Sequence, residues 1–500
     1  MQRHVDPFAY SNNGKQLQER LGRSTATTSG RKRSIDAFLP NNNMIDFICK
    51  RRQTLAWHQP AVFATSLDCK MQIGVLMQLL ASQKSKEAMI EMILQFMSAD
   101  FSNEGLQLYC LRTLTESLSC TDKAINDAVV TAMNSNPQSL QIQIEGCTAV
   151  RRYVKSSGSL NSSGFSAVLQ AVRNHADLYL QYLAIDCIRI ACRHAGSRVS
   201  LAEEAGSVQT ILRALETNIH DSRLQELGLS LLSYLVEQVS CRKLIFSEGG
   251  VNSIIHAMRN HPSNALIQCN GAAAMCWLVH LEHESAKAAL LSNPFAIPTI
   301  LDISKLYVSY ASVFGNCVCI LCGIRVGDTS VLESYPELGT ATRHMVQVGM
   351  RKNPEALKVQ RNSMMMLRLV TELEDSTAIP DDLMKESYED CIEVISASMK
   401  SFPDEIDIQS QGCRALSNLA MNSAVRPMLL SMEGCVNQVT SALMRHKDEL
   451  SVQQGACWFL HGVMLESVGD EGTAAFRGGI GVLEIMLKGL GVDHGPTEED

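Results

Sequence analysis

An all-α solenoid of about nine three-helix units is the fold class this sequence predicts, and three observations predict it. An aliphatic residue followed directly by glutamine recurs eight times: Leu106-Gln107, Ile142-Gln143, Leu180-Gln181, Leu224-Gln225, Ile267-Gln268, Val359-Gln360, Ile408-Gln409 and Val452-Gln453. Three residues after each Gln stands a small residue: Cys110, Gly146, Ala184, Gly228, Gly271, Ser363, Gly412 or Ala456. Five of the Gln residues follow a Met by ten positions: Met97, Met133, Met258, Met350 and Met399. From Ala184 onward the small residues are 44, 43, 92, 49 and 44 apart, and the interval of 92 reads as two units with a degenerate member near Gly315. A period of this size marks stacked units, each burying its apolar face on its neighbours.

In chain order, residues 1–56 read as a basic, mostly disordered tail. Asn12-Asn13-Gly14, Ser24 to Gly30 and Asn41-Asn42-Asn43 are its loop signals. Residues 61–490 read as the repeat domain and 491–500 as an acidic C-terminal tail. The clearest polar turn within the repeats is Ser156 to Gly164. One unit parses in full. Arg426 to Met432 has helical character and stops at Glu433-Gly434. Val436, Val439, Leu443 and Met444 mark a second amphipathic helix, His446-Lys447-Asp448 a turn, and Val452, Ala456, Leu460 and Val463 a third helix. The Glu-Gly stop recurs at Glu248-Gly249 and, as Glu204-Ala205-Gly206, one unit earlier, with Gly478-Gly479 as a last degenerate copy. No segment alternates as a strand would.

Composition narrows the function. The 500 residues are 46% hydrophobic and 19% charged, enough apolar material for extensive burial. No apolar run reaches the roughly 18 residues of a membrane span. Arg3, His4, Asp6 and Lys15 stand where a secretory leader would be apolar. The tail carries ten Lys and Arg against four Asp and Glu, a net of +6 in a chain of net −8, which leaves −14 on the remainder. An acidic body disfavours nucleic acid as a partner. Seventeen scattered cysteines, several at equivalent repeat positions, read as small buried hydrophobes in a reducing compartment. The expected localisation is therefore cytoplasmic, extending to the nucleus if the tail acts as a localisation signal.

Chemistry-bearing motifs are absent: no phosphate loop, no zinc helix of the His-Glu-x-x-His type, no nucleophile elbow. Cys317, Cys319 and Cys322 are closely spaced, but positions i and i+2 of one helix point roughly 200° apart, which suits core packing better than a metal. His175, His261 and His446 fall in turns and read as capping or solvent-exposed residues. The chain is expected to be no enzyme and to need no cofactor.

Ile408 to Ala420 (Ile-Gln-Ser-Gln-Gly-Cys-Arg-Ala-Leu-Ser-Asn-Leu-Ala) resembles the third helix of an armadillo repeat. Met258-Arg-Asn-His-Pro, Met350-Arg-Lys-Asn-Pro and Met399-Lys-Ser-Phe-Pro resemble the Met-Arg-x-His-Pro turn of armadillo-like arrays in many protist proteins. The resemblance implies a right-handed superhelix whose third helices line a concave groove for partner proteins or extended peptides. It also implies that positions two and six after each small residue face the groove, commonly as Trp and Asn. Here those positions include Arg152, Tyr234, Trp277, Arg414, Asn418 and Trp458, and of all of them only Asn418 and Trp458 keep the family's identities.

The function expected is a non-enzymatic scaffold that binds protein segments along this groove. An importin-α-like transport adaptor is the first alternative. Arg31, Lys32, Arg33 and Lys50, Arg51, Arg52 would then be its basic signal, and the missing Trp/Asn ladder speaks against it. The second alternative is a regulatory or targeting subunit of a phosphatase, kinase or ciliary complex.

Overall fold

The structure is a computed structural model that describes residues 67–464, apart from 84, 118–121, 326–334, 336, 337, 339, 373–381, 424 and 433. The described residues form 23 helices and no strand, in nine units. Unit one comprises α1 (Leu67–Ser82), α2 (Lys86–Ala99) and α3 (Glu104–Ser117). Unit two has α4 (Lys123–Ser135) and α5 (Leu140–Ser157); unit three has α6 (Ser162–Asn174) and α7 (Leu178–Ala191). Unit four comprises α8 (Ala195–Glu203), α9 (Ser207–Thr217) and α10 (Ser222–Leu235). Unit five comprises α11 (Val239–Ser247), α12 (Gly250–Asn260) and α13 (Ala265–Leu281). Unit six comprises α14 (His283–Ser292), α15 (Ala296–Leu306) and α16 (Ala311–Arg325). Unit seven contains α17 (Thr340–Lys352) and α18 (Leu357–Thr371), and unit eight α19 (Asp382–Ser401) and α20 (Ile406–Met421). Unit nine comprises α21 (Arg426–Ser431), α22 (Cys435–Arg445) and α23 (Leu450–Met464). The last helix of each unit, its closing helix, packs on the closing helix of the next, in an unbroken row from α3 to α23.

The recurring glutamine explains this architecture. In all eight copies its Nε2 donates to two main-chain carbonyls at the end of the preceding helix of the same unit, at 2.7–3.1 Å. One acceptor is usually the residue ten positions back, the other the turn residue seven back; Gln268, for instance, bonds the Met258 and His261 carbonyls, each at 2.8 Å. The last carbonyls of a helix lack intrahelical partners, so a buried side-chain amide satisfies them and fixes the angle between two helices. Met258 does a second job. Its side chain lies over the small residue, and a Cβ on Gly271 would come within 2.8 Å of it. Gly412 stands in the same relation to Met399 at 2.6 Å, and Gly146 to Met133.

Each closing helix in units one to five also starts on a polar cap four residues before the glutamine. The side chains of Asn103, Ser139, Asp177, Asp221 and Asn264 accept from main-chain N–H groups of the first turn. Where an opening helix hands over to the next, Gly206, Gly249 and Gly434 take φ of +65°, +77° and +91°. Left-handed backbone there turns the chain between two helices at little cost only for glycine. These are the Glu-Gly stops of the sequence, apart from Gly478-Gly479, which lies outside the described residues together with the rest of 465–500.

A further row of bonds links one unit to the next through the turns. Asn136 Nδ2 donates to the Phe101 carbonyl (2.8 Å), and Asn353 Nδ2 to that of Val308 (2.8 Å). The Nε2 atoms of His175, His261 and His446 lie 2.9, 2.7 and 2.8 Å from the Pro137, Ile219 and Pro403 carbonyls. A carbonyl only accepts, so each imidazole carries its proton on Nε2. The turn histidines therefore clasp units together instead of standing free in solvent.

Two expectations change in detail. Units two and three hold two helices, because only five residues (118–122) and four residues (158–161) precede α4 and α6. The Ser-rich stretch from Ser156 to Gly164 has too little apolar surface for an opening helix to bury. In unit six the small-residue position is Cys317, not Gly315. Alignment on the turn residues His261 and Tyr307 puts Phe314 where the glutamine would be, with its ring fully buried. The adjacent unit complements it: Gly349 has no side chain where a Cβ would overlap the Phe314 ring.

Candidate functional site

The row of closing helices carries all six groove candidates. Arg152 is exposed on α5, while Tyr234 on α10 and Trp277 on α13 are half-buried on consecutive closing helices. Arg414 on α20 and Trp458 on α23 are brought together: the guanidinium carbon lies 5.9 Å from the indole centroid, and the Trp458 side chain is 55% exposed. A cation near an aromatic face is attracted by the ring quadrupole. Arg368 on α18 extends this cluster. Its burial and the charge of Arg414 lower its pKa against the pull of Glu372, which it meets at 3.0 Å.

Asn418 is engaged within the fold. Its Nδ2 donates to the Arg368 carbonyl and the Thr371 hydroxyl, both at 3.2 Å, so this amide ties α20 to α18. Its amide donor is thereby committed within the fold.

The sequence reading missed a charged cluster in units two and three. Asp186, buried on α7, pairs with Arg151 of α5 and Arg189 of its own helix. Burial alone would raise the Asp186 pKa, but the two guanidiniums outweigh it and hold the carboxyl below its ordinary value. Lys155, one turn beyond Arg151, is exposed; partial burial and then the charge of Arg151 lower its pKa. Three cations thus surround one carboxylate. The signal was available, since Asp186 occupies position two after Ala184 and Arg151 and Arg189 each stand five after a small residue. Recognising it requires knowing which helices are neighbours. The basic clusters Arg31, Lys32, Arg33 and Lys50, Arg51, Arg52 lie outside the described residues.

Comparison with known proteins bears on the repeat itself. Residues 198–297, from within α8 to the start of α15, match the family model described as the LRRK2 ARM repeat. That stretch is thus similar to armadillo repeats, within an all-α solenoid of armadillo-like architecture. No curated protein sequence matches the chain. Among solved structures, one described by a phosphorylation switch that controls the interaction between cadherin and beta-catenin is similar at 11% identity and a TM-score of 0.45. That likeness covers 84% of this chain and 99% of the other. Armadillo arrays, like other solenoids, offer an extended surface on which protein segments bind. Among the described residues no helix is long and apolar enough to cross a membrane.

Proposed function

We propose that this armadillo array is a non-enzymatic scaffold that binds an extended protein segment along its closing helices. The observation that carries the reading is the Arg414–Trp458 pair, an exposed indole beside a guanidinium on adjacent closing helices. Tryptophan and arginine dominate binding hot spots because they bury much area at small entropic cost. Tyr234 and Trp277 supply aromatic surface in the middle of the row. Arg151, Lys155 and Arg189 around Asp186 favour acidic residues at the other end of the bound segment. The commitment of Asn418 to its neighbour helix makes sequence-tolerant gripping of a peptide backbone, as an importin-α-like adaptor would need, the weaker reading.

The test selects binding peptides from a random display library on the full-length protein and measures them against Trp458→Ala and Arg414→Ala. Loss of a true hot-spot side chain weakens binding by about thirtyfold, the equivalent of about 2 kcal/mol. The helical circular-dichroism signal is expected to hold, because the indole is exposed. Binders indifferent to both substitutions but lost in Lys400→Ala, on α19, would move the binding face to the second helices.

A further inference from the structure

We propose that Cys276 and Cys319 form a redox-modification site, a thiol pair that hydrogen peroxide closes to a disulfide stapling units five and six together. The two residues lie on consecutive closing helices, α13 and α16, with their Sγ atoms 2.9 Å apart. One turn further on, Gly323 of α16 faces Val279 of α13 so closely that a Cβ on the glycine would overlap the valine methyl. The missing side chain brings the two helices together at the level of the sulfurs. Both thiols are free, Cys276 is buried and Cys319 is partly exposed, so a small oxidant reaches the pair along one side.

The electrostatics separate this pair from the structural cysteines. Burial pushes the Cys147, Cys317 and Cys413 thiols up to about 12, which keeps them protonated and inert. Cys276 moves the other way. Its hydrogen bond with Cys319 lowers its pKa against the effect of burial, and the ammonium of Lys358 adds to the lowering. That ammonium is held in place by Asn316 Oδ1 at 2.5 Å. The same hydrogen bond raises Cys319, so Cys276 is the more acidic sulfur of the pair and the better placed to attack.

The chemistry balances. The Cys276 thiolate attacks one peroxide oxygen, the O–O bond breaks, and the departing hydroxide leaves as water after taking a proton, giving a sulfenic acid. Cys319, deprotonated, attacks that sulfur; the S–O bond breaks and the second hydroxide leaves as water. Two thiols and one hydrogen peroxide become one disulfide and two waters. The two electrons lost by the sulfurs go to the peroxide. The inference does not depend on the proposed function, although the staple would stiffen the row beside Trp277.

The experiment treats reduced full-length protein with a small excess of hydrogen peroxide, alkylates it, digests it and locates each cysteine by tandem mass spectrometry. The expected product is a Cys276–Cys319 cross-link, two hydrogens lighter than the thiols and reversed by dithiothreitol. It should form about tenfold faster than any oxidation of the exposed but isolated Cys457. Peroxide should raise the unfolding midpoint of the wild type by several degrees and leave Cys319→Ser unmoved, since a cross-link restricts the unfolded chain. Alkylation of both Cys276 and Cys319 after Cys457 has been oxidised would overturn the site. A cross-link without any change in the midpoint would overturn the stapling.

Discussion

Gln268 makes two hydrogen bonds to carbonyls that the helix itself cannot satisfy. Gln268→Leu keeps the volume and removes both, leaving the buried Met258 oxygen without this donor and the His261 oxygen with only the Asn264 N–H. The expected loss is about 1–3 kcal/mol, read from denaturant unfolding. Gln268→Glu should be worse near neutral pH, because a carboxylate faces the same oxygens with nothing to donate. Asp186 gives a residue-scale prediction with a defined pH window. Its folded pKa is depressed, so its contribution is complete above the unfolded value of about 4 and is lost as pH falls through the folded value. Asp186→Asn should therefore be less stable than wild type at neutral pH, and the gap should close on acidification below about pH 4. A gap that persists unchanged at about pH 2 would mean that the triad contributes through packing alone.

At the scale of the helix pair, Met258 and Gly271 fit as knob and hole. Gly271→Leu must displace the Met258 side chain and press on Leu229, which a Cβ would approach to 3.4 Å. Overpacking of this kind costs about 1–3 kcal/mol, and an unchanged unfolding midpoint would remove the helix register assigned here. The close approach is mainly to the second helix of the same unit. Phe314→Ala should cost about 3–5 kcal/mol, because it opens a cavity between α16 and α17 where no glutamine clamp exists to limit the damage. The eight glutamines, their small partners and the ten-residue spacing to Met were all legible in the sequence, and they are the parts that lock a unit. The missing opening helices of units two and three were harder to see, because an absence leaves no periodic residue behind. Unit six was misread by two residues because a buried phenylalanine replaces the glutamine that sets the register. The residues two and six after each small residue were legible as positions on the closing helices; the commitment of Asn418 and the pairing of Asp186 with Arg151 depend on which helix lies alongside, which a single sequence does not display.

For the whole array, each closing helix touches its immediate neighbours, so damage should stay local. Hydrogen exchange of Gln409→Leu should rise in α19, α20 and the flanking units while α4 to α7 keep wild-type protection. Uniformly faster exchange along the chain would indicate a single cooperative block. The clamp also bears on how such a chain can grow. Every recurring glutamine grips main-chain oxygens of its own unit, and Asn136, His175, His261, Asn353 and His446 each grip a main-chain oxygen of the unit before. These main-chain locks do not depend on the identity of a neighbour's side chain, unlike the Arg151–Asp186 pair or the fit of Phe314 over Gly349. A duplicated stretch of gene that spans one whole period therefore carries its main-chain fastenings with it. Selection is then free to rewrite the outward-facing residues of the copy, so length and binding specificity can change independently of each other.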